Sequence, residues 1–210
     1  MLGQPLKFFV VFFVVVEPVS LIPLFTGLTS GATRAYKRRM ALRAVSVAAA
    51  ILVLFALGGA TFIKLMGISL EALRKIGGLL LFLLALEMVF ARESGTRTSS
   101  SEAAESRRRA DISVFPLAFP FIAGPGALAT ILLWFGPVPL TEQPGVFAAY
   151  LVAVLLVLLI ALIMMLLADP LMRVIGITGA NVASRLLGVI LGALAVQFVL
   201  DGLRQAFGVS

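Results

Sequence analysis

Glu17-Pro18-Val19-Ser20-Leu21-Ile22-Pro23 and Pro120-Phe121-Ile122-Ala123-Gly124-Pro125-Gly126 carry prolines at the same spacing, Pro-x4-Pro, each within a run apolar enough to cross a membrane. A proline inside a helix removes an i→i−4 hydrogen bond and pushes on the preceding turn. In hydrocarbon the freed backbone groups are tolerated only where protein or a water-filled cavity satisfies them. One such break is a kink that aids packing. Two, at matching places in two halves of a chain, point to a site built from broken helices, as in secondary transporters.

The composition around these stretches fits that setting. Of 210 residues, 61% are hydrophobic and only 13% are charged, so long apolar runs dominate. Such a balance belongs to a membrane protein rather than a soluble domain. There is no cysteine and no histidine, which excludes disulfides, thiolate metal sites and imidazole acid–base chemistry. The formal charge of +7 does not imply nucleic acid, because the basic residues fall in the breaks between apolar runs and report membrane topology. Lys7 followed by Phe8 to Val16 imitates a secretory leader, yet Glu17-Pro18 follows without a small-x-small cleavage site, so a retained first span is expected.

The expected fold class is an all-α integral membrane protein with six transmembrane helices. The spans run approximately over 6–28, 42–64, 70–90, 114–135, 146–168 and 186–207, with the first and fourth broken. Residues 1–91 form a first three-helix repeat, 92–111 a polar cytoplasmic linker, and 112–210 a second repeat. Twelve Lys and Arg residues fall on one side of these spans and five on the other, so the positive-inside rule puts both termini outside the cytoplasm of a cell (inner) membrane. Further matches join the halves. Gly67-Ile68-Ser69 precedes span three as Gly176-Ile177-Thr178 precedes span six, and Arg74-Lys75-Ile76-Gly77 parallels Arg185-Leu186-Leu187-Gly188. Three spans per half is an odd number, so the repeats enter the membrane from opposite sides.

Glu17 is the sharpest single residue. It follows Lys7 by ten positions, about 15 Å along a helix, and so falls near mid-membrane. A carboxylate there costs at least a few kcal/mol and must face a cavity or a partner. It suits coupling to a proton or sodium ion, or binding of a substrate ammonium; a buried acid capping the half-helix that begins near Pro18 is the structural alternative. Pro18, Ser20, Pro23 and Thr26 extend the first candidate site, with Thr29 beyond them. Pro120, Gly124, Pro125 and Gly126 form the second, where glycine lets backbone amides approach a ligand and a half-helix N-terminus favours a carboxylate. Arg74 and Arg185, at the starts of spans, are candidates for gating or for snorkelling to lipid phosphate. Glu87 and Asp201 read as interfacial, Gln197 as a partner across helices, Gly188-x3-Gly192 as a packing face and Trp134 as an interface anchor. No catalytic residue and no metal or cofactor site is expected, beyond a transported H+ or Na+.

Pro116-Leu-Ala-Phe-Pro120-Phe-Ile-Ala-Gly124-Pro125-Gly126 resembles the Pro-Leu-Ala-x-Pro-x-x-x-Gly-Pro-Gly signature of the MarC family of integral membrane proteins, which includes the SnatA-type neutral amino acid transporters. Glu17-Pro18-Val-Ser20-Leu-Ile-Pro23 is similar to the family's first motif, with Ser20 where glycine is common. The likeness covers nearly the whole chain and is loosest over the 92–111 linker. It implies a six-span inverted-repeat transporter of small neutral amino acids such as glycine and alanine, coupled to protons or sodium. The partners are then that substrate and the lipid bilayer, with no nucleic acid. A passive channel or exporter for a small solute, and a non-transporting membrane scaffold, are the rival readings. An intramembrane enzyme is disfavoured, because Glu17 lacks a second carboxylate at its depth. Substrate, direction, coupling ion and oligomeric state stay open.

Overall fold

The computed structural model describes residues 3–67, 70–90 and 111–207. The described elements are all helical, which is what hydrocarbon demands of a backbone that must satisfy its own polar groups. They are α1 (Gly3–Val16), α2 (Leu21–Leu28), α3 (Arg34–Leu65), α4 (Leu70–Phe90), a wide-turn segment (Ser113–Ile122), α5 (Pro125–Phe135), α6 (Pro144–Leu166) and α7 (Ala168–Phe207).

Among the described residues, four stretches are long and apolar enough to cross a membrane: Gly3–Leu28, Arg34–Leu65, Pro144–Leu166 and Ala168–Leu200. A fifth arises if the Ser113–Ile122 segment and α5, bent by 53° against each other, count as one broken span. α4 is apolar over Ile76–Phe90 and passes only as a shorter helix. The exterior is apolar too: Leu54, Leu57, Leu155, Leu159, Leu186 and Val189 all lie exposed. An outer surface of leucine and valine belongs in lipid.

Thr33 caps α3, its hydroxyl accepting from the Tyr36 amide at 3.3 Å. One face of α3 buries Ala41, Ala44, Ala48, Leu52, Ala56 and Gly59 at three- and four-residue spacing. That stripe of small side chains admits the wide-turn segment, α5 and α6 at close range. A Cβ on Gly59 would stand 2.5 Å from Leu132 Cδ2 of α5. α4 and α7 pack along each other in antiparallel register. Gly78 faces Ala195 and Val199, while Gly188 faces Ala85 and Met88. The Gly188-x3-Gly192 stretch therefore serves helix packing, as its spacing indicates.

In the second half α6 ends at Leu166, close to the expected end of span five; helix resumes at Ala168, is interrupted at Gly176, where φ is 64° and the backbone is not helical, and continues to Phe207, so helix begins well before the expected start of span six at 186. Gly67, at the corresponding place in the first half, has φ of 73°. Both sit in the left-handed region that glycine enters without a Cβ clash. The polar residues between 169 and 184 are thus carried on the two helical pieces that meet at Gly176. Trp134 is half-buried, with its indole nitrogen enclosed. Its ring packs edge-on against Tyr150 and Phe198 and tilts over Phe8, within an aromatic cluster that also holds Phe135 and Phe147. Of the expectations above, the linker over 92–110, Ile68-Ser69 and the side chains of Arg74 and Asp201 lie outside the described residues.

Candidate functional site

The first break begins where α1 ends. The Glu17 amide donates to Phe13 O at 2.9 Å and closes the helix, after which Glu17 itself turns to φ of 54°. Left-handed backbone at a residue with a Cβ costs on the order of 1–3 kcal/mol and persists only where the surroundings enforce it. A tight turn follows: Ser20 N donates to Glu17 O, Leu21 N to Pro18 O and Ile22 N to Val19 O, at 3.1, 3.3 and 3.1 Å. This turn absorbs the amides with which α2 opens. The Glu17 side chain is 2% exposed, and the Ser20 hydroxyl donates to its Oε1 at 2.5 Å. Pro18 is buried and Pro23 half-buried in the first turn of α2. Thr26 follows on α2; its Oγ1 is buried without a protein hydrogen-bond partner. Thr29 is buried and returns its hydroxyl to Phe25 O at 2.7 Å.

The second break is built differently. Phe115 and Phe119 are extended, each followed by a cis proline, Pro116 and Pro120. The chain makes wide turns, with Leu117 N donating to Ile112 O and Ala123 N to Ala118 O. Proline here does not interrupt an ordinary helix; it stands in a backbone that was never one. Gly124 caps α5 and Pro125 occupies its first turn, where the missing N–H costs nothing. At Cβ level these glycines answer to the protein's own packing. A Cβ on Gly124 would lie 2.1 Å from Pro120 O. On Gly126 it would lie 3.0 Å from Leu84 Cδ2 and 3.3 Å from Val15 Cγ1. Thr130 donates to Gly126 O at 2.8 Å. The Gly126 and Ala127 amides, at the head of α5, have no acceptor within that helix.

A cavity of about 30 Å³ lies at this second break, lined by Pro120, Phe121, Gly124, Pro125, Gly126 and Ala127, by Leu80 and Leu84 of α4, and by Val15 of α1. It has room for about one or two waters. Four of the candidate residues, Pro120, Gly124, Pro125 and Gly126, thus share one cavity. Val15 connects that cavity to the first break, since it stands two positions before Glu17. Pro18, Ser20, Pro23 and Thr26 gather around Glu17 in sequence and do not line the cavity. Arg185 is exposed on α7 and joins neither group. Leu80, Leu84 and Val15 carry no signal in uniformly apolar helices, and only packing identifies them.

One end of the molecule is tied by ion pairs absent from the sequence reading. Lys37 Nζ binds Asp169 Oδ2 at 2.8 Å and Arg43 Nη1 binds Asp111 Oδ2 at 2.7 Å. The hydroxyl and amide of Ser113 donate to Asp111 Oδ1, and with Arg43 beside it they hold the Asp111 carboxyl below its usual range. Among the described residues no group of His, Cys, Asp and Glu is arranged to hold a metal ion.

Comparison with known proteins places both breaks within one family. The sequence profile of the MarC family of integral membrane proteins matches residues 4–207. The chain belongs to the MarC family. This MarC protein is 33% identical over 203 residues to the UPF0056 membrane protein YhcE of Escherichia coli, covering 96% of this chain and 92% of that one. It is 34% identical over 199 residues to a UPF0056 membrane protein of Aquifex aeolicus, covering 95% and 92%. It is 34% identical over 203 residues to the UPF0056 membrane protein YvbG of Bacillus subtilis, covering 96% and 94%. No solved structure matches the chain. It is therefore a multi-pass integral membrane protein of the MarC, or UPF0056, family, and the relatives' names specify no activity.

Proposed function

We propose that this MarC protein is a secondary transporter of small neutral amino acids, glycine- and alanine-like, coupled to protons or sodium, as in the SnatA type. The observation that carries the reading is the chemical asymmetry of the two breaks. The first offers a buried carboxylate and spends its amides on a turn. The second offers the opening amides of α5 beside a cavity. An amino acid has a cationic and an anionic end, and this pair of ends complements it. Glu17 takes the ammonium or the coupling ion; the head of α5 takes the carboxylate. The chain is on this reading not an enzyme.

Alternating access needs two halves that move against each other. The pattern of neighbours supports a six-span inverted repeat with α4 as span three. α1 packs on α6, and its counterpart, the wide-turn segment, packs on α3. α2 packs on α7, and its counterpart α5 packs on α4. α3 meets α6 and α4 meets α7, each pairing with its own counterpart. The two left-handed glycines, Gly67 and Gly176, agree with the same exchange. The ion pairs gather Lys37, Arg43, Asp111 and Asp169 at one end, the end that the basic residues mark as cytoplasmic. Both termini then lie on the other side of the inner membrane. Arg74 and Arg185 serve at most in gating.

Ligand-dependent stability tests the reading. A ligand that binds only the folded protein at a hundred times its Kd adds about 2.7 kcal/mol. Thermal unfolding of the purified protein should shift upward with glycine or alanine and not with acetate or methylamine, which each carry one end only. No shift with any amino acid contradicts the proposal.

A further inference from the structure

We propose that the groove between α4 and α7 holds one anionic phospholipid, with an acyl chain along Gly188 and Gly192 and the headgroup phosphate on Arg185. This site lies apart from both breaks and is independent of what the protein carries. An open groove of about 420 Å³ runs between the two helices. Its floor is Ala85 of α4 with Gly188 and Gly192 of α7, and Leu86, Val189 and Val196 stand along its exposed edges. No lining side chain carries a polar atom. The lining extends from Phe82 to Val89 and from Gly188 to Val196, which is about 10–12 Å along each helix. A groove drawn out along two helices suits an extended chain rather than a compact ligand. Within hydrocarbon an apolar groove gains nothing by excluding water. Its occupant is therefore selected by shape and by the charge that stands at its end.

Arg185 supplies that charge. It precedes Val189, Gly192 and Val196 by four, seven and eleven residues, the spacing of one helical face. Side chains on a helix lean toward its N-terminus, so the exposed guanidinium extends beyond the groove rather than into it. The antiparallel register fixes which end this is. Gly188 meets Ala85, Met88 and Val89, so Arg185, one turn earlier, is level with Phe90 at the close of α4. There the apolar run of α4 gives way in sequence to the charged stretch that begins at Arg92. An arginine at the edge of hydrocarbon keeps its head among the lipid headgroups, and its planar fork matches a phosphate with two parallel hydrogen bonds. No described residue gives Arg185 an ion pair. Glu87, the acid of α4 at this level, stands on a different face from Phe82, Ala85, Leu86 and Val89. The same charge favours lipid over a second copy of the chain. Two copies joined on this face by a two-fold axis would bring like patches together, Arg185 toward Arg185, where like charges repel.

Native mass spectrometry of the purified protein, released from detergent with added lipid, counts both the lipids retained and the copies of the chain. Phosphatidylglycerol should bind at one saturable site, at least about fivefold more tightly than diacylglycerol with the same chains. In Arg185→Gln that preference should vanish while diacylglycerol binding stays unchanged. Ala193→Phe, which puts a ring into the exposed mouth of the groove, should abolish saturable binding of both lipids. Val189→Phe replaces it if Ala193→Phe does not purify as a single species. Equal retention of the two lipids by the wild type, a preference that survives Arg185→Gln, or saturable binding that survives the groove-filling variant overturns the proposal. So does a wild-type dimer that excludes lipid and falls apart in the groove-filling variant, which assigns the groove to a second copy.

Discussion

The Ser20 hydroxyl donates to Glu17 Oε1 at 2.5 Å across the turn that separates α1 from α2. It ties an acid that is 2% exposed, on left-handed backbone, to a neighbour three residues on. A buried carboxylate needs donors, and losing one costs more than an average hydrogen bond returns. Ser20→Ala should therefore destabilise the protein by about 1–3 kcal/mol, read from thermal unfolding in detergent. An unchanged midpoint would mean that this bond is not a support of the break.

Glu17→Gln keeps the shape of the side chain and its acceptor oxygen for Ser20. The variant should fold with an unfolding midpoint at or above that of the wild type, because a charge no longer has to be held away from water. Uptake should nevertheless fall by roughly 10- to 100-fold, the worth of a hydrogen bond to a charged group. Folded protein with full uptake would remove Glu17 from the site.

Glycine substitutions separate packing from conformation. Gly124→Ala puts a Cβ 2.1 Å from Pro120 O and should cost about 3 kcal/mol or more. Gly188→Ala meets Met88 Cβ at 2.7 Å and Ala85 O at 3.1 Å, and should cost about 1–3 kcal/mol by forcing α4 from α7. Gly58 lies within α3 with nothing within 4 Å, so Gly58→Ala should gain about 0.5–1 kcal/mol. The order of the three midpoints in thermal unfolding checks the packing.

Residues differ in how plainly the sequence alone discloses their part in the fold. Glu17-Pro18 announces its break because an acid and a proline are both conspicuous in an apolar run. Gly124-Pro125-Gly126 announces the start of a half-helix, yet its glycines suggest an open approach where the structure has Pro120 O and Leu84 instead. Leu84 is one leucine among many in α4, and apolar periodicity is uninformative when every face is apolar. Asp111 reads as the end of a charged linker; only the fold brings Arg43 to it across 68 positions. Residues 169–184 fall between the expected spans because polar residues there mask the helical pieces on either side of Gly176.

The Arg43–Asp111 pair gives a pH test with a definite sign. The folded Asp111 pKa lies below its model-compound value of 3.8, so the unfolded chain binds the proton more readily. The contribution is present above that value and is lost as pH falls through the folded pKa. Both side chains are about half exposed, so the pair itself is worth no more than about 1 kcal/mol. The stability difference between wild type and Asp111→Asn should stay constant from neutral pH to about pH 5, then shrink in stronger acid. A difference that grows on acidification contradicts this arrangement.

Counterflow of glycine tests transport around the two breaks most directly. Proteoliposomes preloaded with unlabelled glycine and diluted into labelled glycine should show a transient overshoot of label. The overshoot should saturate with external glycine, compete with alanine and vanish in Glu17→Ala. Label that enters without saturation and ignores the internal glycine, or that does not enter at all, contradicts a carrier built on Glu17 and the head of α5.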